Sequence, residues 1–414
     1  MSEEKKVVPE IRFPEFTDEW KVQNVGDVLL SLKDGTHETH KNTEKGPYLL
    51  SAKNIKNGRI IIEQSDRKIS WDEYRKIHSQ YKLQTGDVLL TIVGSIGESA
   101  VLRETENLTF QRSVAFLRPN NETQSSFLRA EMETDRFQYE LQSRKSQSAQ
   151  PGIYLGELAR IPFISAPSIL EQARIGSFFA MIDSLIYGQE KLIEDIYEYK
   201  KSLLQKMFPK EGEKIPEVRF PEFKGEWEVK ELSELLTQRI ERKKITEEEP
   251  LLAFSYAEGV IDPEDKKSNK RDFLMTDKDN KVFLRTEYDD IIYNPANVIH
   301  GAIRRNSFKA GVVSPIYKIF KCNDGVSPKY MGERLHTDSF INEASKYIEG
   351  TVIKLRTLSP ESFLKMKIEI PKSLEEQEKI GNFFLSIDNC IKLQEKQLSD
   401  LQQYKKSLLQ KMFC

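Results

Sequence analysis

Tyr199-Lys-Lys-Ser-Leu-Leu-Gln-Lys-Met-Phe208 returns letter for letter, 205 residues later, as Tyr404 to Phe413. Two further matches surround it. Glu171-Gln-Ala-Arg-Ile-Gly-Ser-Phe-Phe179 returns as Glu376-Gln-Glu-Lys-Ile-Gly-Asn-Phe-Phe384, and Pro9-Glu-Ile-Arg-Phe-Pro-Glu-Phe16 as Pro216-Glu-Val-Arg-Phe-Pro-Glu-Phe223. Glu-Trp follows each copy of the last motif, at Glu19-Trp20 and Glu226-Trp227. The chain is two half-length copies in tandem. About 145 residues between the matching segments of each half scarcely match. Two copies are too few for a solenoid and point to an internal pseudo-two-fold. The duplicated parts form a frame; the divergent parts are what the frame presents.

Apolar residues in the first frame segment fall at Ile175, Phe179, Ile182, Ile186, Ile193, Ile196, Leu203 and Met207. In the second they fall at Ile380, Phe384, Ile387, Ile391, Leu398, Leu401, Leu408 and Met412. Gln189, Lys200, Gln394 and Lys405 fill the gaps. Steps alternating four and three over more than four heptads are the seam of a coiled coil, and its polar positions help set register. Pro167-Ser168 and Pro371-Lys-Ser373 suit helix starts capped by serine. Each helix runs roughly 40 residues, about 60 Å. The two are expected to pack on each other. Connection length allows parallel or antiparallel packing; an internal two-fold perpendicular to the helices requires antiparallel.

The chain has 414 residues, 38% hydrophobic and 10% aromatic, with a net charge of −2. That is a globular composition, long enough for two domains. No apolar run reaches membrane-spanning length, and the charged start Met1-Ser-Glu-Glu-Lys-Lys has no signal core, so a cytoplasmic location is expected. Cys322, Cys390 and Cys414 lack metal or disulfide spacing; Cys390, beside apolar helix positions, reads as a small core residue. The near-neutral charge argues against binding nucleic acid by bulk charge but leaves room for one basic face. Local clusters stand at Arg239, Arg242, Lys243 and Lys244; at Lys266, Lys267, Lys270 and Arg271; and at Arg304, Arg305 and Lys309.

The divergent stretches, about 20–160 and 227–368, read as mixed, strand-rich domains. Val88 to Val93, Ser113 to Leu117 and Asp290 to Tyr293 are β-type runs bounded by Gly, Asn and Pro. Each half is expected to hold a strand, a glycine-bearing turn (Gly94-Ser-Ile-Gly97, or the stretch ending at Gly301) and a second strand ending in Arg118 or Lys318. Catalytic patterns fail on spacing: there is no P-loop, no H-E-x-x-H and no G-x-S-x-G. His37 and His40 come nearest to a metal signal, and no metal is expected. Asn294-Pro-Ala-Asn297 lacks the second proline and the stacking aromatic of an amino-methyltransferase motif. The chain reads as a binder.

The duplicated Leu-x-Glu-Gln-x-x-Ile-Gly-x-Phe-Phe-x-x-Ile-Asp helix start with its Lys-Lys-Ser-Leu-Leu-Gln-Lys-Met-Phe end resembles the specificity subunits of type I restriction-modification systems. So do Pro-Glu-Ile-Arg-Phe-Pro-Glu-Phe, Gly86 to Gly97, Gln111-Arg-Ser-Val-Ala-Phe-Leu-Arg-Pro119, and Tyr293-Asn-Pro-Ala296 followed by Gly311 to Tyr317. The first helix copy departs slightly, with Ile169-Leu-Glu-Gln172 for Leu374-Glu-Glu-Gln377. The resemblance covers the whole chain and implies an α+β fold. Two strand-rich target-recognition domains (1–165 and 211–370) are joined by a central helix (166–210) and a C-terminal helix (371–414) in an antiparallel coiled coil. It implies a non-catalytic DNA-recognition subunit. Each domain reads half of a bipartite double-stranded site, and the helices set the spacer. The implied partners are two modification subunits that methylate adenine with S-adenosylmethionine, and two restriction subunits that use ATP and Mg. No cofactor is expected in this chain.

Base edges are read by polar side chains, while phosphate contacts only position a domain. The matching motifs put Ser51, Lys53, Asn54, Ser95, Gln111 and Arg112 forward as first-domain readers, with Lys56, Arg59, Arg144 and Lys145 as phosphate contacts. In the second domain the candidates are Ser255, Tyr256, Lys266, Lys267, Lys270, Arg271, Asn297, Arg304 and Arg305. Two other classes compete: a coiled-coil scaffold that binds proteins, and a fused enzyme that methylates as well as reads. A bipartite methylation pattern would exclude the first; bound S-adenosylmethionine on the isolated chain would revive the second.

Overall fold

The computed structural model describes residues 7–146, 151–256, 258–265, 281–348 and 357–413. It divides into two compact units, residues 1–191 with 395–414, and residues 192–394. The units cut across the sequential segmentation, because each long helix, Ile169–Lys206 and Leu374–Met412, is divided between them.

Each unit is built on the same antiparallel sheet. In the first unit the strand order is Leu29–Asp34, Val114–Pro119, Val88–Thr91, Ser99–Val101. In the second it is Leu236–Arg239, Lys318–Cys322, Ile291–Tyr293, Ile303–Arg305. The glycine turns lead into short edge strands, Ser99–Val101 and Ile303–Arg305. The expected second strands lie across the sheet instead: one runs past Arg118 to Pro119, and Lys318 opens its strand rather than ending it. A two-stranded ribbon ties the start of each domain to its end, Lys21–Asn24 with Pro162–Ser165 and Glu228–Glu231 with Lys367–Ile370.

The heptad seam is buried as its spacing requires. In the first unit Ile175, Phe179, Ile182 and Ile186 share a core with Leu408, Leu409, Met412 and Phe413, with Leu398 and Leu401 against it. In the second, Leu203, Met207 and Phe208 share a core with Ile380 and Phe384, and Ile387 packs against it. Within each unit the early part of one helix meets the late part of the other, so the pairing is antiparallel. Ile193 and Ile391 are buried too, while Ile196, Gln189 and Gln394 are half-buried. Burial of each large aliphatic side chain contributes about 1.5–3 kcal/mol. Cys390, expected as a small core residue, is exposed. It stands one position before the seam residue Ile391, and the helical turn carries it outward, as it does its counterpart Leu185, 55% exposed.

The other repeated residues fasten this frame. Arg12 donates two hydrogen bonds to the Glu171 carboxylate, at 2.6 and 2.9 Å, and Trp20 Nε1 a third at 3.3 Å. Arg219 and Trp227 repeat this on Glu376, at 2.7, 2.9 and 3.2 Å. The same motifs seize the far ends of the helices: Ile11 N–H donates to the Lys411 carbonyl at 2.8 Å and Val218 N–H to that of Lys206 at 2.9 Å. Each Pro-Glu-Ile/Val-Arg segment therefore staples the end of one long helix to the start of the other. Ser168 and Ser373 cap the helix starts, accepting from Glu171 N–H and Glu376 N–H at 3.4 Å. Gln172 and Gln377 accept from the backbone N–H groups of Gln124 and Ser327, at 3.0 and 2.9 Å. These bonds seat the domain helices Ser125–Met132 and Pro328–Arg334 on the long ones.

The seam lysines are paired. Lys405 lies 2.6 Å from Asp183 and 2.5 Å from Glu133, and Arg129 lies 2.5 Å from Asp183. In the other unit Lys200 lies 2.7 Å from Asp388 and 3.4 Å from Glu333. Removing one member of a buried ionic group leaves the rest uncompensated. Lys405→Ala is expected to lower stability in urea by on the order of 3 kcal/mol. Adding Asp183→Asn should restore part of the loss, because the two sites share one network; strict additivity would show that they do not interact.

Candidate nucleic-acid interface

In the first unit three loops are stitched together at one end of the sheet. Gln111 N–H donates to the Leu50 carbonyl at 2.8 Å, and Arg112 N–H to that of Thr36 at 3.1 Å. Ala52 N–H donates to Ser113 Oγ at 3.0 Å. Ser51, Lys53, Gln111 and Arg112, four of the proposed readers, are thereby brought to one patch. Arg112 is exposed, and Ser51 and Gln111 are half-buried. Lys53 is exposed and pairs with Asp66 at 2.6 Å. Ser95 stands apart, exposed at the tip of the turn held open by Gly94 (φ 83°) and Gly97 (φ 105°), which only glycine adopts freely.

Asn54 has a different place. It is 4% exposed, and its amide donates to Asp66 at 2.8 Å and to the Ile61 carbonyl at 2.9 Å. It holds the loop's shape from within, with Asp66, a residue that sequence reasoning passed over. Downstream, Ile55–Lys56 and Arg59–Ile60 form a hairpin. Its turn residues, Asn57 (φ 51°) and Gly58 (φ 76°), are the Asn-Gly pair that a two-residue hairpin demands. The Asn57-Gly58 pair is a local hairpin signal, legible from the sequence alone. Lys56 is exposed, whereas the Arg59 guanidinium lies 3.5 Å from the centre of the Tyr187 ring on the central helix. Arg144 pairs with Glu140, and Lys145 is exposed. His37 and His40 take separate partners, Asp34 at 2.8 Å and Glu73 at 3.2 Å.

The second unit collects its candidates less well. Ser255 and Tyr256 stand at one hairpin end, Tyr256 exposed. Lys266, Lys267, Lys270 and Arg271 lie outside the described residues. The half-buried Asn297 serves a tight turn through its carbonyl, which accepts from His300 N–H at 3.0 Å and Ala302 N–H at 3.2 Å. Arg305 pairs with Asp289 beside the Tyr288 ring. Arg304 turns inward: its guanidinium donates to the Gly301 and Ile303 carbonyls at 3.1 and 2.9 Å and contacts His336 Nδ1. As it stands, Arg304 is half-buried, with its guanidinium committed to these internal partners. The cause is its place on the edge strand beside the helix Pro328–Arg334, which a charge count along the chain cannot register.

Burial pushes Arg304 down to about 10. Burial first, then the Arg304 and Lys200 cations, pushes His336 down to about 3. The folded protein therefore keeps His336 neutral where the unfolded chain protonates it. Stability is full above the unfolded pKa of about 6.5 and falls as the pH drops below it. The slope from this one group reaches at most about 1.4 kcal/mol per pH unit. Denaturation at pH 6.5 and pH 5 should show a smaller difference for His336→Asn than for the parent; an unchanged difference would remove His336 as the source.

Among the described residues no helix is long and apolar enough to cross a membrane. Residues 17–198 match the family described as the type I restriction modification DNA specificity domain. The type I restriction enzyme MjaVIII specificity subunit of Methanocaldococcus jannaschii is 24% identical over 449 residues, covering 96% of this chain and 92% of that protein. The type I restriction enzyme EcoBI specificity subunit of Escherichia coli is 27% identical over 206 residues, 48% of this chain and 42% of its own. The solved type I S subunit from M. genitalium shares the fold at a TM-score of 0.61 and 15% identity, covering 98% of this chain and 99% of that one. The duplicated frame and the two like-ordered sheets agree with these comparisons: residues 17–198 match the type I restriction modification DNA specificity domain, and along nearly its whole length the chain is similar to type I restriction enzyme specificity subunits.

Proposed function

We propose that each unit reads one half of a bipartite double-stranded DNA site and that the two long helices hold the halves at a fixed spacing. The observation that carries this is the same four-strand order in both units, on a duplicated frame, with unlike loops mounted on it. Two readers of one design with different loops suit two different half-sites. Helices of 38 and 39 residues, roughly 57 Å at about 1.5 Å per residue, suit a spacer.

The helices also dock two copies of one partner, the modification subunit. Among helix positions exposed in both copies before Tyr199, only Lys191/Lys396 and Asp195/Asp400 are identical. From Tyr199 on they all are: Tyr199/Tyr404, Lys201/Lys406 and Gln205/Gln410. The seam does not require these outward side chains; a partner met twice does. In this reading the chain itself catalyses nothing. Adenine methylation with S-adenosylmethionine belongs to the modification subunits, and ATP- and Mg-dependent cleavage to restriction subunits, all in the cytoplasm.

The test is to express the chain with its modification subunits and map methylated adenines across a genome. A two-part motif with an unread spacer is expected. Exchanging Ser51–Asn54 and Gln111–Ser113 for the loops of a relative should change one half of the motif only. A continuous motif, or methylation indifferent to those loops, would sink the reading.

A further inference from the structure

The hairpin Ile55–Ile60 follows directly on the loop Ser51–Asn54 and is locked to it: Ile61 N–H donates to the Asn54 carbonyl at 2.8 Å, and the Asn54 amide donates back to Ile61 at 2.9 Å. Its tip lies on the central helix. Arg59 stacks over Tyr187 at 3.5 Å, and Asn57 Nδ2 donates to Glu190 at 3.4 Å. Asn57 N–H donates to Glu98 at 3.0 Å, beside the glycine turn that carries Ser95. A Cβ on Gly58 would stand 2.5 Å from the Arg129 guanidinium, so the tip lies close against that side chain. Arg129 in turn holds Asp183 of the same helix at 2.5 Å.

From this geometry we infer that Arg59 and Tyr187 form a brace that positions the Ser51–Asn54 loop against the central helix, making Arg59 a positioning residue for the first half-site rather than a phosphate contact. The guanidinium face is taken up by the ring, as in a cation–π pair. The counterpart of Tyr187 in the other copy is Lys392, which offers Arg59's role no ring. The brace therefore belongs to the first unit, and the second half-site serves as an internal control. The inference rests on the DNA-reading role proposed above, but the brace can be measured without DNA.

The experiment uses the chain assembled with its modification subunits and compares Arg59→Ala, Arg59→Lys, Tyr187→Ala, Tyr187→Phe and the Arg59→Ala/Tyr187→Ala double variant. Without DNA, hydrogen exchange over residues 51–61 should quicken in both alanine variants and stay at the parent level in Tyr187→Phe. On a duplex carrying the site, each alanine variant should bind roughly two- to five-fold more weakly, the double no worse than either single. Relaxed methylation should be confined to the first half of the motif, with the salt dependence of binding unchanged. The opposite pattern overturns the brace: Arg59→Ala lowering the salt slope by about one phosphate while Arg59→Lys and Tyr187→Ala behave as the parent. Unchanged exchange over residues 51–61 in Tyr187→Ala overturns it whatever the DNA result. A complex with a normal exchange response but no bipartite target would instead refute the reading role and leave the brace standing.

Discussion

Glu171→Ala is expected to cost the first unit about 3–5 kcal/mol, enough to unfold it at moderate urea. The carboxylate is fully buried, and its partner Arg12 keeps only 9% of its side chain exposed. Cutting it away removes both carboxylate bonds of the Arg12 guanidinium and the bond of the Trp20 indole N–H in the core. It also releases a staple, since the Arg12 segment holds the end of the C-terminal helix through Ile11 and Lys411. Glu171→Gln, which keeps an acceptor but no charge, should lose less. The second unit supplies the matched case: Glu376→Ala should act alike there, through Arg219 and Trp227. Urea transitions give the measurement, read in each unit by hydrogen exchange of the long-helix start, around Glu171 in the first and Glu376 in the second, with all tryptophans kept. A Glu171→Ala loss below about 1 kcal/mol, the range of an exposed ion pair, would show that the staple does not hold the helices.

The staple marks how far the sequence could be read. The seam was legible because period carries it: alternating steps of four and three name the buried face with no knowledge of what covers it. The match of the two copies showed that the motifs around Arg12 and Glu171 matter, but not that they touch, because a salt bridge between residues 159 apart leaves no local trace. The division of each long helix between the units was hidden for the same reason. The candidate site was legible in part. Ser51, Lys53, Gln111 and Arg112 meet because parallel pairing of Tyr48–Leu50 with Leu108–Phe110 brings their loops to one edge. Asn54 and Arg304 stand in the matching motifs and have the residue types that read bases, but their contacts turn them inward; whether a polar side chain faces a groove or a core is decided by packing, which composition does not record.

The repeated glycine of Ile-Gly-x-Phe-Phe leads to the second prediction, in which helix propensity and packing have opposite signs. Glycine inside an exposed helix costs about 1 kcal/mol relative to alanine, so Gly→Ala normally stabilises. At Gly176 a Cβ would stand 2.1 Å from Ser126 Oγ and 2.7 Å from the Phe127 backbone nitrogen. At Gly381 it would stand 2.6 Å from Lys329 Cβ and 2.7 Å from the Tyr330 nitrogen. These are the first turns of the domain helices that Gln172 and Gln377 hold against the long helices, and backbone cannot swing aside as a side-chain tip can. Overpacking of this kind costs about 1–3 kcal/mol, more where backbone must move. Gly176→Ala should therefore destabilise the first unit and Gly381→Ala the second, each by on the order of 2–3 kcal/mol net of the propensity gain. The control lies in the same helix. Gly188 is exposed, would meet nothing within 4 Å, and is matched in the other copy by Leu393. Gly188→Ala should raise stability by about 1 kcal/mol. Urea denaturation of the three variants reads both signs. If Gly176→Ala is as stabilising as Gly188→Ala, the close contact between domain helix and long helix is not what the repeated glycine serves.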